Sequence, residues 1–205
     1  MKVYEAVLDQ LLGAGVSHFA GMVGSTSAPY ASALAAQNQA RYVGIRHEQV
    51  AATILDATAR LSGQPGCLMV HGGSGLLAAS LGIGSAALDC TPMVVLSATQ
   101  ERKAMENGWW QTLDVQKPVA DFVKFQTRVE RPDQAIAAVR DALRASVSGK
   151  PGVAQIDIPI DVSTDELGTD NVPAPVRMAT PHIRSFPDPG LVEKAADLLV
   201  RAQRP

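Results

Sequence analysis

Six short runs, Val16–Ala20, Arg41–Ile45, Cys67–Val70, Met93–Leu96, Phe122–Phe125 and Val153–Ile158, read as strands, and segments of helical period separate them. A helix lying between two strands acts as a crossover, and crossovers join strands that run parallel. The expected fold is therefore α/β, an about six-stranded parallel sheet with helices on both faces. An extended linker and one extra helix should follow it.

The helices show in the spacing of apolar residues. Val3, Val7, Leu8, Leu11 and Leu12 predict a first helix, stopped by Gly13 and Gly15. Residues 29–37 predict a second. Glu48 to Leu61 predicts a third, with Val50, Ile54, Leu55 and Leu61 near one face. A small-residue helix is expected over Leu76–Leu88. Pro132 and Asp133 open another, which carries Ile136, Val139 and Leu143 and closes at Gly149. From Pro159 onward, Pro173, Pro175, Pro181, Pro187 and Pro189 with few apolar residues describe the linker. Leu191 to Ala202 then has Leu191, Ala195, Leu198, Leu199 and Ala202 along one side, before the chain reaches Arg204 and Pro205. The expected division is a domain over residues 1–165, a linker over 166–189 and the first helix of a truncated further domain over 190–205.

Composition excludes several classes of function. Lys+Arg 18 against Asp+Glu 20 leaves a net charge of -2, with no basic surplus to neutralise nucleic-acid phosphates. With 46% hydrophobic and 19% charged residues, the bulk of the chain should fold rather than remain disordered. Cys67 and Cys90 sit in apolar runs and read as small buried hydrophobes in a reducing, cytoplasmic setting. No window of 18 uninterrupted apolar residues predicts a membrane span, and no signal peptide is expected. None of the four histidines stands at metal-ligand spacing from a cysteine or carboxylate.

In an open parallel sheet, ligands bind beyond the carboxyl ends of the strands, where backbone N–H groups and helix N-termini converge. That rule selects Gly21–Ser27, Arg46-His47-Glu48 and His71-Gly72-Gly73-Ser74-Gly75, with the stretch around Gln111 as a fourth candidate. Gly73-Ser74-Gly75 with Ala78 fits the dinucleotide fingerprint, although the next strand runs into Ser97-Ala98-Thr99-Gln100 before an acid appears at Glu101. The same glycines equally serve close helix–strand packing. No phosphate-binding P-loop and no G-x-S-x-G elbow is present. Glu48 opens a helix, where a carboxylate suits the macrodipole by about 0.3–1 kcal/mol. Its apolar neighbours Val50, Ala51 and Ala52 also suit a carboxyl that exchanges a proton with a ligand nitrogen. His71 reads equally as a histidine capping its own loop, and Trp109 and Trp110 as core or interface filler.

Six motifs occur in order. They are Gly21-Met22-Val23-Gly24-Ser25, Arg46-His47-Glu48-Gln49, Cys67 through Gly75, Asp89-Cys90-Thr91-Pro92-Met93-Val94, Trp110-Gln111-Thr112-Leu113-Asp114, and Lys150-Pro151-Gly152-Val153 through Asp157-Ile158-Pro159. Together they resemble the N-terminal pyrimidine-binding domain of thiamine diphosphate enzymes of the acetolactate synthase, benzoylformate decarboxylase and benzaldehyde lyase group, over roughly Val3 to Val162. Val23 stands where that family has a turn proline, Ala78 where it often has asparagine, and Thr112 where it has glutamate.

The resemblance implies that Glu48 shares a proton with N1′ of the aminopyrimidine and so activates the cofactor. It implies catalytic roles for His71, as a proton relay, and for Gln111, as a hydrogen-bonding group for the substrate oxygen. Cofactor contacts are expected at Glu48, Val23, Gly24, Gly75 and Ala78, and a substrate pocket at Ser25, His71 and Gln111. The substrate implied is a 2-oxo acid or related carbonyl compound, cleaved or joined at a C–C bond. The chain lacks the G-D-G sequence with which the family holds the diphosphate and Mg²⁺. Those are therefore expected on a diphosphate-binding domain of another subunit, within a homo-oligomer, and the chain alone is expected to be inactive. Two other readings stay open: a dinucleotide-binding Rossmann-type domain, and the small subunit of a split thiamine diphosphate enzyme.

Overall fold

The computed structural model describes residues 1–168, 172–177 and 186–204. Pro181, Pro205 and part of the expected linker lie outside the described residues. In chain order the elements are α1 (Val3–Gly13), β1 (His18–Gly21), α2 (Ala28–Ala35), β2 (Arg41–Gly44), α3 (Glu48–Ser62), β3 (Gly66–His71), α4 (Ser74–Leu88) and β4 (Met93–Thr99). They continue with α5 (Arg102–Glu106), β5 (Val123–Arg128), α6 (Ala135–Val147), β6 (Val153–Pro159), α7 (Ile160–Ser163) and α8 (Pro189–Arg201). The strands pair in parallel in the order β2-β1-β3-β4-β6-β5.

The three central runs β3, β4 and β6 are buried along their whole length and are mostly apolar, with His71, Ser97, Thr99, Gln155 and Asp157 as their buried polar members. Successive side chains alternate between two layers. Phe19, Cys67, Met69, Val94, Leu96, Ala154 and Ile156 pack with α1, α2 and α6. Ala20, Leu68, Val70, Met93, Val95 and Val153 face the other way, against α3 and α4. Local signals fix the helix ends. His47 caps α3 by accepting from the Gln49 N–H at 3.3 Å, and left-handed Gly63 closes it by donating to the Ala59 carbonyl at 2.8 Å.

Two sequence expectations need correction. The face of α3 carrying Val50 and Leu61 points outward, and these residues are 50% and 91% exposed. The buried face is Glu48, Ala51, Ala52, Leu55, Asp56 and Ala59; Ala52 meets Gly82 of α4 at a close approach of the two helices, while Leu55 packs over Gly66 of β3. Cys90 is not in the core. It is half-buried in the turn after α4, with φ 58° and its Sγ donating to the Leu88 carbonyl at 3.7 Å, because the apolar run ends at Leu88. Pro132 opens a 3₁₀ turn, Pro132–Gln134, from which α6 continues with Ile136, Val139 and Leu143 buried.

Part of the linker is tied to the domain. Residues 172–177 lie along α1 and α6, where Gln10 Nε2 donates to the Pro173 carbonyl at 3.0 Å and Arg140 Nη2 to that of Ala174 at 2.5 Å. Helix α8 forms as expected, capped by Asp188 at the Leu191 N–H, and none of its residues is buried. Among the described residues, no helix is long and apolar enough to cross a membrane.

Candidate functional site

From β1 the chain moves outward to β2 and then crosses back to β3 on the other side of β1. Such a switch point opens a crevice beyond the strand ends, between loops that leave in opposite directions. The loop after β1 and the turn after β3 meet there. Both are tied to the end of β4 through a single carbonyl: Ala98 O accepts from Thr26 Oγ1 at 2.5 Å and from the Gly72 N–H at 2.7 Å. On the loop after β1, the Gly24 N–H donates to Ser27 Oγ at 2.9 Å, which turns the chain into α2.

The start of α3 brings Glu48 into this crevice, where it is only 5% exposed. A methyl group on Gly75 would lie 3.0 Å from Glu48 Oε1 and 3.5 Å from His71 Cβ, so the glycine admits the carboxyl against the first turn of α4. A methyl on Gly24 would lie 3.1 Å from His71 Cδ2, which places the two loops in contact. The His71 ring is buried, and its Nδ1 donates to the Gly72 carbonyl, an atom that can only accept. Nε2 has no protein partner. In the neutral ring it therefore presents a lone pair.

The segment after β4 covers this turn. Gly73, at φ 76°, lies beneath the Gln111 carbonyl, which a methyl there would meet at 2.8 Å. Gln111 is itself left-handed at φ 58° and donates from Nε2 to Ser74 Oγ at 3.0 Å, while its buried Oε1 has no protein partner. Trp110 packs edge-on against His71, with centroids 6.4 Å apart and planes at 67°. Both tryptophans remain exposed.

Glu48, His71, Gly24, Gly75 and Gln111 thus come together. Val23 and Ser25 are exposed on the loop after β1, and Ala78 is half-buried one turn further along α4. The carboxyl of Glu48 beside Gly75 also opposes the dinucleotide reading, because a pyrophosphate seated at the start of α4 would meet it. Among the described residues, no group of three His, Cys, Asp or Glu side chains could hold a metal ion.

Sequence reasoning missed the polar layer beneath this segment. Gln155 Nε2 donates to Ser97 Oγ at 3.0 Å and to the Val115 carbonyl at 3.3 Å. Arg128 Nε donates to Asp157 Oδ2 at 2.5 Å, and the Asp157 side chain is fully buried. Burial pushes the Asp157 carboxyl up from its ordinary value, against the downward pull of Arg128. The signal was present: Gln155 and Asp157 alternate with apolar residues in a strand otherwise expected to be apolar on both faces.

Residues 1–118 match the family model described as thiamine pyrophosphate enzyme, N-terminal TPP binding domain. A probable acetolactate synthase large subunit from Methanocaldococcus jannaschii is 28% identical over 207 residues, covering 100% of this chain and 35% of that protein. The oxalyl-CoA decarboxylase of Escherichia coli K12 is 30% identical over 80% of this chain and 30% of its own length. The mouse 2-hydroxyacyl-CoA lyase 1 is 32% identical over 72% of this chain and 27% of its own length. The chain thus spans about a third of the length of these relatives. With more than half of its residues matched, and with its parallel sheet and crevice in the order the motifs require, the chain belongs to the thiamine pyrophosphate enzymes, in the family of their N-terminal TPP-binding domain.

Proposed function

We propose that this chain is the pyrimidine-binding part of a thiamine diphosphate enzyme that cleaves or forms C–C bonds of 2-oxo acids, with Glu48 as the cofactor-activating acid. The observation that carries the reading is the placement of Glu48, a buried carboxyl at a helix start with its Oε1 against a residue that has no side chain. The surroundings fit an aminopyrimidine. Glu48 would hold ring nitrogen N1′ by sharing a proton, Gly24 and Gly75 let the His71 ring and the Glu48 carboxyl close up against the two loops, and Val23 and Ala78 border the same loops. When bound, the cofactor supplies a nucleophilic carbon for attack on the substrate carbonyl.

The chain's own residues then handle protons and orientation. Burial shields the Glu48 carboxyl from bulk water. His71 Nε2, with no protein partner, takes up or returns a proton at the substrate, while the Nδ1 bond to Gly72 fixes the ring. Gln111 has one amide end engaged by Ser74 and the other free for a substrate oxygen or hydroxyl. Turning the amide over preserves the Ser74 bond, since a hydroxyl both donates and accepts. Ser25, on the exposed rim, borders the substrate.

The diphosphate and its Mg²⁺ would sit on a diphosphate-binding domain of another subunit, in a cytoplasmic homo-oligomer. The outward face of α4 supports a partner there. Leu77, Leu81 and Leu88 are 43%, 66% and 83% exposed, and Leu81, Leu88 and Phe122 border a groove of about 510 Å³. The domain would end near residue 165, with 166–189 as linker and α8 as the first helix of the next domain, whose unburied apolar side needs a cover. The names of the relatives, a synthase, a decarboxylase and a lyase, support C–C bond chemistry. Glu48→Gln, made in the polypeptide or complex that carries this chain, should slow exchange of the cofactor C2 proton by about 100-fold or more, with the circular dichroism unchanged. Exchange at the wild-type rate overturns the reading.

A further inference from the structure

Residues 100–119 form a strap across the carboxyl ends of β3, β4 and β6, and it is fastened chiefly at its ends. At the start, Arg102 binds Asp161 twice, from its backbone N–H to Oδ1 at 3.2 Å and from Nε to Oδ2 at 2.7 Å. Its Nη1 also donates to the Glu130 carbonyl at 2.7 Å. One guanidinium thus joins the strap to α7 and to the connection after β5. At the far end, Gln155 holds the Val115 carbonyl, and Gln126 Nε2 holds that of Gln116 at 3.0 Å.

Between these fastenings the strap has little buried side chain of its own. Trp109 and Trp110 are 67% and 69% exposed, and Leu113 is 49% exposed. A series of backbone bonds runs from Arg102 inward: α5 presents the Ala104 carbonyl to the Trp109 N–H at 3.1 Å, and the Trp109 carbonyl accepts from the Thr112 N–H at 3.2 Å. Gln111 lies within that last turn. Its place above Gly73 and Ser74 is therefore set by the strap's ends as well as by its one side-chain bond.

We propose that Arg102, seated on Asp161, is a positioning residue for Gln111: the pair fixes the start of the strap and so the distance of the Gln111 amide from His71. The inference rests on the reading of Gln111 given above. Arg102 and Asp161 are 44% and 30% exposed in their side chains, and half-exposed ion pairs contribute little to global stability. Their loss should therefore appear in the strap and in turnover before it appears in unfolding.

The test has two arms. In this 205-residue chain, Arg102→Ala should speed amide hydrogen exchange at Trp109 and Thr112 by about 10-fold and leave β3 and β4 protected. In the active enzyme containing the chain, Arg102→Ala and Asp161→Asn should each lower kcat/KM for a 2-oxo acid such as pyruvate by about 10-fold, with cofactor affinity unchanged. Arg102→Lys should restore part of the loss, since it keeps the charge and forfeits the fork. In a Gln111→Ala background, Arg102→Ala should cost less than about 2-fold, because its effect passes through Gln111. Multiplying losses in the double variant, or unchanged exchange at Trp109 and Thr112, overturns the inference while leaving the Glu48 reading intact. Wild-type C2 exchange in Glu48→Gln overturns that reading instead, and the exchange arm still decides whether Arg102 fixes the strap.

Discussion

Gly75→Ala sets packing against chemistry in a single atom. Gly75 is the second residue of α4, and its φ lies outside the left-handed region, so alanine fits the backbone. In a helix the exchange stabilises by about 0.5–1 kcal/mol, worth about 1–4 °C in Tm for a chain of this size. The added methyl would stand 3.0 Å from Glu48 Oε1, where ordinary contact begins near 3.4 Å, so the carboxyl must retreat by 0.4 Å, the difference of the two. Carboxyls end flexible side chains, and the retreat costs the fold little. For a shared proton it matters more, since the working range between heavy atoms is only about 2.6–3.2 Å. The variant should melt at the wild-type temperature or a few degrees above it, and should lose about 10-fold in cofactor-dependent turnover, or about 1.4 kcal/mol of barrier. Thermal melts of the chain and steady-state rates of the active enzyme measure the two effects. Full turnover would show that Glu48 is not the activating acid, and a Tm several degrees lower would show that backbone, not a mobile carboxyl, carries the contact.

Arg128→Met should leave the buried Asp157 carboxylate alone and destabilise the chain by about 3 kcal/mol at neutral pH. Asp157 is raised above 3.8 in the fold, so the folded state binds its proton more readily than the unfolded one, and stability from this group falls as pH rises through the folded value. The deficit of the variant should therefore shrink between about pH 8 and about pH 5 in urea titrations, and a deficit independent of pH would refute the assignment. Lys124→Met removes the ammonium that donates to the carbonyls of Ala145, Ser148 and Lys150 at 2.7, 2.8 and 2.6 Å, and so frays the end of α6. A loss of about 1–3 kcal/mol, with faster exchange confined to the last turn of α6, is expected in hydrogen exchange.

The sheet was legible because its central strands are buried on both faces and each contains an apolar run, Cys67–Val70, Met93–Leu96 and most of Val153–Ile158. The burial of Glu48 was legible because a carboxylate opening an alanine-rich helix is followed by apolar residues. The inward face of α3 was not. Val50 and Leu61 are the larger apolar residues, but helix-on-helix contact is set by how closely the axes approach, and Ala52 against Gly82 allows what a leucine at that position would prevent. The clamp of the strap escaped for another reason. Arg102 and Asp161 are 59 residues apart, Gln155 reaches Val115 across 40, and no local period announces a pairing that only the strand order β4-β6-β5 creates.

The distribution of unsatisfied polar atoms links the strap to the crevice. Buried side-chain atoms without a protein partner, among the described residues, are His71 Nε2, Gln111 Oε1, Thr99 Oγ1, Gln155 Oε1, Asp157 Oδ1 and Arg128 Nη2, together with Tyr30 Oη and Thr91 Oγ1. Each such group costs about 1–3 kcal/mol where nothing completes it, so chance placement through a marginally stable domain would be selected against. Six of them belong to β3, β4, β5 and β6 or to the strap that covers them, whereas Tyr30 lies in α2 and Thr91 in the turn before β4. The opposite layer, formed with α1, α2 and α6, is largely apolar and holds one such atom, Tyr30 Oη. A fold that gathers most of its unmet polar capacity around one strap gives up stability there, and the place where it does so is the place where a ligand can repay it. Replacing Gln155 with leucine should test that account, since it removes one orphan acceptor and the bond to Val115 together. If the layer serves only the fold, Tm should rise; if it holds the strap, exchange at Val115 and Gln116 should quicken even where Tm is kept.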